Sequence, residues 1–166
     1  MPHLTITLRA ATAAALMGSS VCLGTATAAA DPTDTLVGSL SKGYSSSNCT
    51  SQSPASGVAA VLQCGQNSDS SGPVFAKYML FNNASDLASS FTNSINSDTL
   101  TNCGDAKSPT VWHQGSSTDS AGQVACGTYQ GQAEVIWTTD AKSVMSLIRG
   151  SSGDTAALYQ WWRANG

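Results

Sequence analysis

Gln123-Val124-Ala125-Cys126-Gly127-Thr128-Tyr129-Gln130-Gly131-Gln132-Ala133-Glu134-Val135-Ile136-Trp137-Thr138 is the stretch that decides the fold class. Its two flanks carry β-branched and aromatic residues, and the short Gln130-Gly131-Gln132 between them is tight enough for a hairpin. Residues 123–129 and 133–138 are therefore predicted as neighbouring antiparallel strands. Upstream, Val111 to Gln114 is a third run of the same kind. Further back, Val58-Ala59-Ala60-Val61-Leu62 reads as a buried strand ending at Cys64, and Pro73 opens a longer one from Val74 to Phe81. That longer strand is apolar on both faces with Lys77 as its sole charge, the pattern of a strand inside a sheet rather than at its edge.

Helical periodicity fills the gaps. Pro32-Thr33-Asp34 supplies capping residues, and Leu36, Val37, Leu40 and Tyr44 follow at helical spacing around a stop at Gly43. Asn82 and Asn83 cap a helix that puts Ala84, Leu87, Ala88, Phe91 and Ile95 on one face. Asp140 reads as the cap of another helix, with Ala141, Val144, Met145 and Ile148 on a stripe ended by Gly150, and a last helix starts at Asp154 and carries Leu158, Trp161 and Trp162. Residues 45–56, 66–72 and 96–109 read as loops and turns. The expected architecture is α+β: a two-layer domain with a mostly antiparallel five-stranded sheet and helices packed on one face.

Met1 to Ala30 has the marks of a secretory signal peptide: a positive charge at Arg9, an Ala-rich apolar run through Val21, Cys22 and Leu23, and Ala28-Ala29-Ala30 before Asp31-Pro32. Cleavage is expected after Ala30, leaving a single domain over residues 31–166 and no stable membrane insertion. The alternative, an uncleaved anchor, is opposed by Gly18-Ser19-Ser20 and the threonines, which dilute the segment. Lipidation at Cys22 is opposed by Val21, where a lipoprotein signal needs a small residue. Four cysteines remain, Cys49, Cys64, Cys103 and Cys126, an even set in an exported chain, so two disulfides are expected. Of the three possible connectivities, spacing favours Cys49 with Cys64 and Cys103 with Cys126. A four-thiolate zinc site needs paired C-x-x-C knuckles, which this chain lacks, and no metal or cofactor is expected.

Residues 31–166 hold six basic side chains against ten acidic ones, a net charge of −4. With no basic stripe to neutralise phosphates, nucleic acid is not an expected partner. No catalytic residue is assigned. Asp69-Ser70-Ser71-Gly72-Pro73 has some likeness to the nucleophile segment of chymotrypsin-type proteases, but Ser68 and Ser71 stand where that pattern has glycine, so a turn is the reading. His113, the one histidine after the leader, shares a strand face with Val111, opposite Trp112. It is the residue a small secreted hydrolase would use as its base. Glu134, the sole glutamate, is a strand-face acid without an evident partner for carboxylate-pair chemistry. The aromatics offer a stacking surface for a sugar or an apolar ligand. Trp161, Trp162 and Tyr129 are the candidate binding residues, the alternative being burial in the core. Asn48-Cys49-Thr50 and Asn83-Ala84-Ser85 match the glycosylation sequon.

Leu36 to Tyr44 ahead of Cys49, then Leu62-Gln63-Cys64, Lys77-Tyr78-Met79-Leu80-Phe81, Cys103, Trp112-His113, Gly122-Gln123-Val124-Ala125-Cys126, Val135-Ile136-Trp137-Thr138 and Trp161-Trp162 together resemble a group of actinobacterial exported domains. Such modules occur alone behind a signal peptide, or joined through one transmembrane helix to cytoplasmic Ser/Thr protein kinases as extracellular sensors. The resemblance covers nearly all of residues 34–163. It implies a fold and a compartment and brings no catalytic residues. The expectation is an exported, non-catalytic binding or sensor-like domain of the cell envelope or extracellular space. Its partner would be a small ligand, a glycan or an envelope protein, held in a groove between sheet and helices or on the face near Trp161 and Trp162. The competing expectations are the hydrolase using His113 and a protein-interaction module linked to kinase signalling.

Overall fold

The computed structural model describes residues 31–166; the expected signal peptide and Cys22 lie outside the described residues. In chain order the elements are α1 (Pro32–Val37), β1 (Cys49–Gln52), β2 (Val58–Cys64), β3 (Phe75–Phe81), α2 (Ala84–Ile95), β4 (Thr99–Thr101), β5 (Thr110–His113), β6 (Ser120–Tyr129) and β7 (Gln132–Thr139), followed by a 3₁₀ turn (Asp140–Lys142), β8 (Val144–Arg149) and α3 (Thr155–Asn165). The sheet has eight strands in the order β1-β2-β3-β8-β7-β6-β4, and β5 also pairs with β6. Every pairing is antiparallel.

The hairpin forms as expected. Tyr129 pairs with Gln132 across Gln130 (φ 51) and Gly131 (φ 83), and two consecutive positive φ values make the turn whose twist matches that of the strands. The helix caps also form: Asn83 accepts from the Asp86 N–H at 2.9 Å and Asp154 from the Ala157 N–H at 2.9 Å. Strand β3 lies between β2 and β8, inside the sheet.

The five-stranded expectation is corrected to eight, and in each case the reason is physical. Residues 144–149 form β8, a strand. Strand β8 is covered on both faces, so its apolar residues do not alternate, and Val144, Met145 and Ile148 match a helical stripe equally well. Only the turn Asp140–Lys142 is helical, and Ser143 ends it in the left-handed region (φ 53). Strands β1 and β4 are short, polar edge strands whose exposed Thr50, Ser51, Gln52, Thr99, Leu100 and Thr101 read as loop. The first helix ends at Val37, six residues before Gly43, because Gly38 already closes its last turn by donating to the Asp34 carbonyl at 3.0 Å.

The expectation of helices on one face is corrected too: they cover both. On one face α1 and α3 pack over Leu62, Tyr78, Val124, Val135, Trp137, Val144 and Ile148. There Tyr44, Tyr78, Trp137, Trp162 and Trp112 form a continuous row of edge-to-face and tilted contacts with centroids 5.6–6.3 Å apart, and Tyr159 stacks on Trp162 at 5.5 Å. On the other face α2 packs Leu87, Phe91 and Ile95 against Ala125, Ile136 and Met145. The alternation of β7 splits its residues between the two: Val135 and Trp137 to the first face, Glu134, Ile136 and Thr138 to the second.

Both disulfides form, Cys49 with Cys64 and Cys103 with Cys126. Cys49 and Cys64 are direct cross-strand partners, so the first bridge fastens edge strand β1 to β2. The second fastens the segment after β4 to the middle of β6. Such bonds persist in oxidising compartments and not in the reducing cytosol. No helix of the described residues is long and apolar enough to cross a membrane.

Candidate functional site

Helix α2 rests on β3, β8 and β7 and leaves part of β6 and the approach to β5 uncovered on its face. The uncovered strip is a cleft of about 480 Å³, within the roughly 300–1,000 Å³ usual for small-ligand sites. From α2 it is lined by Ala84, Leu87, Ala88, Phe91, Thr92 and Ile95. Leu87 and Phe91 are buried at its base, whereas Ala84, Ala88 and Thr92 are exposed at its rim. Small side chains at i, i+4 and i+8 share one helical stripe, and here that stripe holds the cleft open. The opposite wall is Pro109, Gln123, Thr138 and Asp140.

That wall carries a short polar relay. The Gln123 N–H donates to Thr138 Oγ1 at 2.9 Å, and the Thr138 hydroxyl donates to Asp140 Oδ1 at 2.7 Å. Its backbone is held by close approach: a Cβ on Gly122 (φ 155) would meet the Thr138 carbonyl oxygen at 2.2 Å. That same oxygen accepts the Trp112 indole N–H at 2.7 Å. The relay thus leans on the aromatic layer of the other face.

The same sheet face holds a second polar cluster. Arg149 on β8 pairs with Glu134 on β7, its direct cross-strand neighbour: Nε donates to Glu134 Oε2 at 2.7 Å and Nη2 donates to the same oxygen. The guanidinium lies over the rings of Tyr129, 4.5 Å from the centroid, and Phe75, at 5.5 Å. Burial raises the Glu134 carboxyl above its ordinary range, with Arg149 pulling the other way. Asp98, just beyond α2, is pushed up to about 6, first by burial and then by the Glu134 charge, against the pull of Arg149. Its Oδ1 is buried with no hydrogen-bond partner among the described residues. A buried acceptor without a donor favours the protonated acid.

The structure does not bring Trp161, Trp162 and Tyr129 together. Tyr129 caps Arg149 on the α2 face. Trp162 is buried in the aromatic row on the other face, 6 % exposed, and its Nε1 has no partner among the described residues. Trp161, half-buried beside it, donates its Nε1–H to Asp69 Oδ2 at 3.0 Å. Asp69 accepts from the Ser71 N–H and hydroxyl at 2.9 and 2.8 Å. Those Ser71 bonds, and then the one from Trp161, hold its carboxyl below the usual range. The Asp69-Ser70-Ser71 segment is thus a turn that ties α3 to the β2–β3 connection. His113 is exposed, with Nδ1 3.0 Å from the Asp119 carbonyl oxygen. In the sequons, Asn83 caps α2, and the Asn48 amide nitrogen donates to the carbonyls of Gly43 and Gln66. Among the described residues no group of three or more His, Cys, Asp or Glu is placed to hold a metal ion.

No protein-family model, curated protein or solved structure matches the chain.

Proposed function

We propose that the protein is an exported, non-catalytic binding or sensor-like domain of the cell envelope or extracellular space, and that the cleft beside α2 is its ligand site. The observation that carries this reading is the cleft itself: an apolar base of Leu87, Phe91 and Ile95 with one polar end at Thr138 and Asp140. Deep apolar surface with a few fixed polar groups is the usual make-up of a small-molecule site. Two disulfides support an oxidising location, and the likeness to actinobacterial exported sensor modules supports the role.

The test is saturation binding of a neutral apolar fluorophore, N-phenyl-1-naphthylamine, to the purified protein and to Ala88→Trp. Ala88 is exposed at the rim, so the larger ring fills the cleft without entering the core. Saturable binding by the parent protein and a loss of at least about tenfold in the variant, with its melting temperature kept, are expected. No saturable binding, or equal binding by both proteins, would sink the reading.

A further inference from the structure

We infer that the cleft selects amphipathic ligands with a positively charged end, which it seats against Asp140; this rests on the cleft being the ligand site. Asp140 is the charged residue of the cleft wall. One of its oxygens is fixed by the Thr138 hydroxyl, which is itself oriented by the Gln123 N–H. A hydroxyl that already accepts from the backbone donates to the carboxylate, so the relay holds one Asp140 oxygen in place and sets the direction of the second. That second oxygen takes no hydrogen bond from the described residues.

No cation of the described residues neutralises it. The one ion pair among them is Arg149 with Glu134. Lys142, two positions after Asp140, sends its Nζ to the Gly38 carbonyl at 3.1 Å and the Ser39 hydroxyl at 3.5 Å, across to the α1 side. The net charge of −4 over residues 31–166 adds a background field of the same sign. An ammonium head with an apolar tail finds a counter-ion at one end and Leu87 and Phe91 along its length. A carboxylate head on the same tail meets like charge.

Displacement of N-phenyl-1-naphthylamine at pH 7.5 by dodecylammonium and dodecanoate below their micelle concentrations and by dodecanol below its solubility limit separates these cases. The expected order is ammonium tightest and carboxylate weakest, with about a tenfold ratio between them, since attraction in one case and repulsion in the other each contribute a few-fold at a partly exposed site. Asp140→Asn should bring the ratio close to one, and Gln123→Lys, which places a cation on the same wall, should invert it. Equal displacement by ammonium and carboxylate, carboxylate preference, or a ratio unmoved in both variants would overturn the charge selection while leaving a general apolar site standing. Failure of all three to displace a fluorophore that Ala88→Trp excludes would also overturn it. Absence of fluorophore binding would instead remove the ligand site on which it depends.

Discussion

Asp98→Asn is expected to stabilise the protein, and only above about pH 4, with the full effect reached above about pH 6. Asp98 lies just beyond α2, faced by Glu134 from β7 and Arg149 from β8, and its carboxyl is raised from 3.8 to about 6. Below pH 3.8 the folded and unfolded chains both carry the proton. Between 3.8 and about 6 the unfolded chain has lost it while the native state keeps it, so native stability falls as pH rises. Above about 6 the cost is complete. A displacement of about two pH units corresponds to about 3 kcal/mol at full strength, which solvent screening of this partly exposed group brings to about 1.5 kcal/mol. The asparagine side chain is nearly isosteric and does not ionise, so it removes this cost.

Urea unfolding at pH 4, 6 and 8 measures the effect directly. The variant should match the parent protein at pH 4, exceed it by about 1.5 kcal/mol at pH 8 and melt about 5 °C higher there. Glu134 is raised in the same direction, and its charge is one of the causes of the Asp98 shift, so the difference between the two proteins reports the Asp98 charge together with its repulsion from Glu134. A variant less stable at pH 8, or an offset that is the same at pH 4 and pH 8, would refute the claim that the Asp98 charge is what the fold resists.

Three further outcomes follow from the packing. Arg149→Met leaves Glu134, 3 % exposed, buried beside Asp98 without its counter-ion, and should cost about 3 kcal/mol in chemical denaturation. Adding Glu134→Gln should recover much of that loss, and a double variant as unstable as the single one would contradict the ion-pair account. Removing either disulfide as a Ser pair should cost about 3 kcal/mol from the 15- and 23-residue separations alone, and mass spectrometry of the intact protein should find no free thiol among Cys49, Cys64, Cys103 and Cys126. Trp162→Ala should cost about 3–5 kcal/mol and abolish most of the near-ultraviolet dichroism, whereas Trp161→Ala, half-buried, should cost about 1 kcal/mol; equal costs would show that the aromatic row is not the core.

The residues that the sequence placed well are those whose local chemistry has one outcome. Asn83 and Asp154 cap helices wherever an amphipathic run follows, Gln130-Gly131 turns a hairpin, and close cysteines pair. Glu134 shows where this stops. Its partner Arg149 is fifteen residues away, and the two meet because β7 and β8 pair in a register that sets Glu134 opposite Arg149. Reading residues 144–149 as helix removed that register and left the glutamate looking isolated. The signal that separates the cases is present but faint: Val144, Ser146 and Ile148 go to one face and Met145, Leu147 and Arg149 to the other, which four residues after a strand fits a second hairpin arm. The cleft has no local signature at all. Ala84, Ala88 and Thr92 are ordinary helix-surface residues until α2 is seen to leave part of β6 uncovered.

The two faces of the sheet are built to different standards, and this bears on where a ligand is accommodated. The aromatic row and all four cysteines lie on the α1 and α3 face. That face combines the largest buried side chains with both covalent constraints, so its packing leaves little room for change. The α2 face carries no cross-link, uses alanine and threonine along the rim of α2, and keeps charged groups under cover near Asp98, Glu134 and Arg149. A protein stabilised from one side can leave the other underfilled without losing the fold, because void volume near α2 weakens contacts that the aromatic face does not depend on. The Trp112 indole bonded to the Thr138 carbonyl is where the two meet: the aromatic face positions the polar wall of the cleft, and α2 supplies the other wall.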